Sequence, residues 1–157
     1  TLPDEAGTVL TTAGVPSSAL PASSVLQVIN ATYGTQIITT ATTYIDTGLT
    51  ATITPSSTDS KILVFVSQAG LRKTSGSYEG VKLFRDATQI VYFAGTTGFT
   101  SSTATNGTGC ESACYLDSPA STSAVTYKTQ FNGNGVGTVY VQASNVTSTI
   151  ILMEIAG

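Results

Sequence analysis

Histidine and tryptophan are absent from this chain of 157 residues, methionine occurs once and cysteine twice. Without histidine, the commonest general base and the commonest metal ligand are both missing. Cys110 and Cys114 stand in a C-x3-C spacing, short of the four N/S ligands that a structural zinc ion requires. No metal and no other cofactor is therefore expected. A disulfide across a tight loop would close little chain and add modest stability. In a continuous strand the two side chains would point the same way but sit too far apart to bond. Two free or loosely paired thiols is the preferred reading.

Charge is scarce too, at 10% of residues with a net of −3. A phosphate backbone calls for clustered Lys and Arg; the six basic residues here are scattered, apart from Arg72 and Lys73. Nucleic acid is excluded on that ground. No apolar run approaches the ~18 residues of a membrane helix, so membrane insertion is not expected. No basic region followed by an apolar one opens the sequence in the manner of a signal peptide.

Catalytic groups are thin. The thiols neighbour Glu111, which raises a thiol pKa and does not activate it, and nothing marks Thr1 as a nucleophile. Of the nine acids, Asp4, Glu5, Asp46, Asp59, Asp86 and Asp117 fall at turns or in the N-terminal stretch. A carboxylate pair for glycoside hydrolysis would rest on Glu79, Glu111 and Glu154, and Glu154, among apolar neighbours, reads better as a hydrogen-bonding or ion-pairing group at an interface. No enzymatic activity is expected. Gly133, Gly135 and Gly137 precede a strand and open no helix, so they make a turn and not a phosphate loop. The N-x-[ST] matches at Asn30, Asn106 and Asn145 arise readily by chance in a Ser/Thr-rich chain.

What the sequence has is threonine, serine, valine, isoleucine and tyrosine, the residues of a pleated, half-buried surface. Residues 1–23 hold three of the five prolines and no alternation, which predicts an extended connector. Residues 24–157 read as one β-sandwich domain. Strands are expected near Val25–Ala31, Thr42–Asp46, Thr50–Thr54, Lys61–Leu71, Gly80–Arg85, Gln89–Phe93, Glu111–Leu116, Ser123–Phe131, Thr138–Ser144 and Thr149–Ile155. Asp86-Ala87 and the Asn-Gly pairs of residues 132–135 supply hairpin turns. Gly95–Gly109 shows no strand pattern and reads as a long loop. The fold class is all-β, a jelly-roll-like sandwich.

Two strands alternate in the manner of a strand with one wet face: Val125, Tyr127 and Phe131 against Thr126, Lys128 and Gln130, and Val139, Val141 and Ala143 against Thr138, Tyr140 and Gln142. Three others are apolar on both faces. Val25 and Ile29 oppose Leu26 and Val28; Ile62, Val64 and Val66 oppose Leu63 and Phe65; Ile151, Met153 and Ile155 oppose Ile150 and Leu152. With no helices to cover a second apolar face, another copy of the chain is the simplest cover. Leu26, Val28, Leu63, Phe65, Ile150, Leu152 and Glu154 are the interface candidates, although sequence does not say which face of each strand turns outward.

The connector GTVLTTAGVPSSALPASSVLQV, the block TTYIDTGLTATITPSSTDSKILVFVSQ, the segment SPASTSAVTYKTQF and the ending STIILMEIAG together resemble the C-terminal knob of bacteriophage tail-fibre and virion structural proteins from phages of marine bacteria. The resemblance spans nearly the whole chain and is most specific at its end, but none of the residues in it is a catalytic signature. It implies a tumour-necrosis-factor-like homotrimer with the last strand near the threefold axis. It also implies a virion tail-fibre location and adhesion to a host surface polysaccharide or outer-membrane protein. Contact candidates follow from the residues themselves. Phe99 among Thr97 and Asn106 suits a sugar face ringed by hydroxyls, and Arg72, Lys73 and Tyr78 suit an anionic group. An architectural virion part, a polysaccharide depolymerase and a secreted lectin-like trimer are the competing readings.

Overall fold

A computed structural model describes residues 20–97 and 106–157, with the side chains of residues 97 and 106–108 left aside. Ten strands follow one another: β1 Val25–Tyr33, β2 Ile37–Thr39, β3 Ile45–Ile53, β4 Lys61–Lys73, β5 Glu79–Arg85, β6 Thr88–Thr97, β7 Asn106–Asp117, β8 Val125–Asn132, β9 Val139–Val141 and β10 Ser148–Ile155. One sheet runs β1-β10-β4, with β7 and the β9-β2 pair both hydrogen-bonded to β4; the other runs β3-β8-β5-β6. All pairings are antiparallel. Without the three-residue strands β2 and β9, the remaining eight, numbered in chain order, form sheets 1-8-3-6 and 2-7-4-5. That is the jelly-roll arrangement.

The strand expectations hold with local changes. The segments read as Thr42–Asp46 and Thr50–Thr54 are one strand, β3, interrupted by a register shift between Asp46 and Thr50. Gly48 makes the shift possible: its φ is +84°, and a Cβ there would collide with the Tyr33 ring. The last part of Thr138–Ser144 is not strand. Gln142 and Ser144 turn left-handed into a short 3-10 turn, and the Gln142 side chain is buried on Ser148. β2 is too short to show a pattern. The Gly95–Gly109 stretch is strand at both ends, since β6 reaches Thr97 and β7 starts at Asn106.

Register fixes a polarity. At one end, here the base, lie Ser23 and Ser24, which exchange backbone hydrogen bonds with Ala156, together with the β4 start, the β7 end and the β5-β6 hairpin. The opposite, distal end gathers the β4 end, the β5 start, the β6 end, the β7 start and β9. The connector up to residue 19 lies outside the described residues.

The core has two apolar layers separated by a polar one. Leu49, Ile53, Ile62, Val64, Leu83, Tyr127, Ile150 and Leu152 fill the basal layer; Leu71, Val81, Phe131, Val139 and Val141 fill the distal one. Between them a chain of buried side chains crosses from sheet to sheet. Thr47 and Thr129 share a hydroxyl hydrogen bond of 2.6 Å, the Thr129 hydroxyl donates to Gln68 Oε1 at 2.8 Å, and Gln68 Nε2 donates to Ser148 Oγ at 3.0 Å. A buried polar group is costly only when unpaired, so the band ties one register of each sheet to the other. Replacing Gln68 by Ala strips partners from Thr129 and Ser148 and leaves a hole. The expected loss is ~2–4 kcal/mol in denaturant-midpoint measurements, whereas Gln130→Ala on the exposed face is expected to cost less than ~1 kcal/mol.

The base is closed by Glu154. Its carboxylate accepts the Ser56 amide and hydroxyl and the Ser60 hydroxyl, each at 2.7 Å, and Gln27 Nε2 at 2.6 Å. Burial pushes this carboxyl up, but the hydrogen bonds from Gln27, Ser56 and Ser60 outweigh it and hold the group below the usual range. Also at the base, Arg85 Nη1 donates to both Asp117 carboxylate oxygens at 2.9–3.0 Å, and the Tyr127 hydroxyl donates to Asp117 at 2.7 Å.

Candidate interaction surfaces

Pairing register assigns every side chain of the first sheet to a face. On its outer face Val28, Met153, Leu63 and Leu116 form one cross-strand row, and Asn30, Ile151, Phe65 and Cys114 form the next. Val25 and Ile155 extend the patch toward the base. Val28 is 53% exposed, Leu116 49% and Phe65 40%. A shallow groove of about 350 Å³ lies along Phe65, Ser67, Ser112, Cys114, Thr149 and Ile151. Cys110 and Cys114 are both free and exposed in the continuous strand β7.

Of the interface candidates, Val28, Leu63 and Phe65 lie on this outer face. Ile150, Leu152 and Glu154 do not. Ile150 pairs with Val66 and Leu152 with Val64, both core residues, so Ile150 and Leu152 are wholly buried inside the sandwich. The outward members of β10 are Ile151, Met153 and Ile155, the other half of the same alternation. Glu154 is bonded within its own chain and has no surface to offer a partner. Leu26 sits where the β1-β10 register shifts and lines a basal cavity of about 290 Å³ beside Ser56 and Ser60.

The distal end collects the other candidates. Lys73 pairs with Asn106, Arg72 with Gly107 and with Tyr140, and Glu79 with Thr97, while Tyr78 is half-buried next to Glu79. Residues far apart in sequence thus meet at one end. Phe99 lies outside the described residues, as do the side chains of Thr97 and Asn106. The basic pair does not act as a pair, because neighbours on a strand point to opposite faces. Arg72 points out, its guanidinium 5.1 Å from the Tyr140 ring centroid. Lys73 points in, is wholly buried, and donates to the Ser75 carbonyl at 2.5 Å, which removes it from the contact set.

Sequence reasoning missed the partners of Arg72. Ile38, 55% exposed, pairs with Tyr140, so Ile38, Tyr140 and Arg72 form an apolar, aromatic and cationic strip. It also missed Asn134, read only as a turn residue. Asn134 accepts the Ser77 hydroxyl at 3.0 Å and the Val136 amide at 3.2 Å, and donates to the Gly76 carbonyl at 3.1 Å. Thr74 and Thr138 exchange two further hydrogen bonds of 2.9 Å. Loops 74–78 and 133–138 are thereby joined into one cap with Val136 exposed on it.

Beneath the cap Glu79 is wholly buried, and among the described residues no donor meets either carboxylate oxygen in hydrogen-bond geometry. Burial lifts its carboxyl to about 8; the Arg72 backbone amide opposes the shift and the Glu111 charge adds to it. Glu79 has no exposed surface for a saccharide to reach, and Glu154 stands at the other end of the sandwich. Of the carboxylates singled out for hydrolysis, Glu111 is near enough to raise the Glu79 carboxyl, but Glu79 is buried and Glu154 lies at the opposite end.

No protein-family model and no curated protein matches the chain. Among solved structures it is similar to the VP2 chain of the infectious bursal disease virus subviral particle, with a TM-score of 0.52 and 12% identity over 83% of this chain and 33% of that one. A structure of the Gt strain of the same virus aligns with a TM-score of 0.41 and 13% identity, over 85% of this chain and 39% of that one. The chain spans about a third of the VP2 chain of the subviral particle, and the likeness is one of fold.

Proposed function

We propose that the chain is the distal knob of a homotrimeric bacteriophage tail fibre, attaching the virion to a host cell surface without catalysis. The observation that carries this reading is the apolar outer face of the first sheet. Fully burying a large apolar side chain contributes roughly 1.5–3 kcal/mol. About half of that for each of Val25, Val28, Leu63, Phe65, Leu116, Ile151, Met153 and Ile155 comes to roughly 10 kcal/mol per protomer. Rigid-body association costs roughly 4–15 kcal/mol, so the patch is on the scale that assembly demands. The polarity of the fold agrees: residues 20–24 enter at the base, and the Arg72–Tyr140–Ile38 strip and the Asn134 cap lie at the far end.

Sedimentation equilibrium at micromolar concentration is expected to return three times the chain mass. Cys114 is then expected to resist alkylation in the assembly and to react fully in an outer-face variant that does not assemble. A stable wild-type monomer with reactive Cys114 overturns the trimer. Adhesion is read by adsorbing labelled trimer to a panel of marine bacterial isolates. An Arg72→Ala, Tyr140→Ala double variant is expected to lower adsorption at least tenfold. A trimer that adsorbs to none of them favours the architectural reading, which the fold likeness to a chain of a viral particle also suits.

A further inference from the structure

The outer face of the second sheet differs from that of the first. It is polar, and it remains open when the first is covered. Asp46, Gln130, Lys82 and Tyr92 form one cross-strand row over β3, β8, β5 and β6. Asp46 is bonded to Gln130 Nε2 at 2.7 Å and to Lys128 at 2.9 Å. Lys82 is placed differently. Its ammonium sits 4.0 Å from the centroid of the Tyr44 ring and 5.2 Å from that of Tyr92, and among the described residues it forms no salt bridge.

The rings around Lys82 are held in place. The Tyr92 hydroxyl donates to the Gly95 carbonyl at 3.1 Å. Gly80 provides the room: a Cβ there would stand 2.6 Å from both the Tyr44 hydroxyl and Asn132 Oδ1. Burial, then the neighbouring Tyr92 hydroxyl, pushes the Tyr44 phenol above its usual range, so it stays a neutral ring beside the cation. Tyr92 itself is 52% exposed. A fixed, open aromatic ring next to a cation that has no carboxylate partner among the described residues, on an otherwise acidic chain, is complementary to a ligand that carries an apolar ring face and a negative charge.

We propose that Tyr92 and Lys82 form a binding platform for an acidic saccharide, a sugar ring lying on Tyr92 and its carboxylate on the Lys82 ammonium. The platform lies on the flank of the knob near its distal end. It deepens the adhesive reading by naming a ligand class, and it rests on that reading for its biological role.

The test is calorimetric titration of the full chain with tetragalacturonate and, at the same ionic strength, with maltotetraose of equal length. Tetragalacturonate is expected to bind at least tenfold more tightly. Tyr92→Ala is expected to weaken it at least tenfold, and Tyr92→Phe, which keeps the ring, less than threefold. Lys82→Gln is expected to bring tetragalacturonate down to the level of maltotetraose. Failure of wild type to bind tetragalacturonate, or equal binding by Tyr92→Ala, overturns the proposal; sedimentation confirms that each variant keeps the wild-type assembly. Cell adsorption that survives Tyr92→Ala but is lost in the Arg72→Ala, Tyr140→Ala variant overturns the platform and leaves the adhesive reading standing. Tetragalacturonate binding with no adsorption to any cell supports the platform and overturns the adhesive reading.

Discussion

Aspartate at position 152 is expected to unfold the knob, whereas aspartate at position 65 is expected to leave a folded monomer. Leu152 and Phe65 lie on neighbouring strands of one sheet, and both are large and apolar. Leu152 is wholly buried between the sheets, packed with Ile62, Val64 and Ile150. A carboxylate there loses the leucine contacts and faces an unpaired burial cost, together more than ~5 kcal/mol, on the scale of a domain's total stability. Phe65 is already 40% exposed, so within one protomer Phe65→Asp places its charge in water at a cost of ~1 kcal/mol. In a trimer, the same charge meets the apolar face of the neighbouring copy. Circular dichroism and sedimentation read the two outcomes separately: no sheet signal for Leu152→Asp, a normal sheet signal at one chain mass for Phe65→Asp. A trimeric Phe65→Asp protein with unchanged melting would remove this face from the interface.

Stability is expected to fall as pH rises from about 4.5 to about 8, and Glu79→Gln is expected to abolish that slope. The Glu79 carboxyl is raised from 4.5 to about 8 in the folded chain. Between those values the unfolded chain has released this proton and the folded chain retains it, so raising the pH favours unfolding. At ~1.4 kcal/mol per pKa unit, the effect is on the order of 3–5 kcal/mol, complete above about pH 8 and absent below 4.5. Glu154 acts in the opposite direction at lower pH. Its folded pKa is depressed, so its contribution is present above its unfolded value and lost as pH falls through the folded one. The two together place the stability maximum at mildly acidic pH. Urea midpoints between pH 4 and 9 measure the slope; identical slopes for wild type and Glu79→Gln would show that Glu79 does not carry it.

The sandwich was legible in the sequence wherever alternation and turn chemistry agree. The alternation sets Tyr127 and Phe131 on one face and Lys128 and Gln130 on the other, and the first face is the buried one. The hairpin at Asp86-Ala87 was read from turn residues. β2 was not legible, because three residues cannot establish a period, and β9 was overextended because Gln142 continues the alternation while its backbone turns left-handed.

Sequence alone determined that this chain is all-β, that several strands are apolar on both faces, and that it lacks histidine chemistry. Those properties are local: strand period is two, and composition needs no partner. Tertiary structure decided which apolar face lies inside, because only the pairing of Ile150 with Val66 and of Leu152 with Val64 ties β10 to the core side of β4. It also decided that Lys73 is buried while Arg72 meets Tyr140, and that Lys82 lies between Tyr44 and Tyr92. Contacts such as these join residues tens of positions apart, and a one-residue change of register would exchange every face.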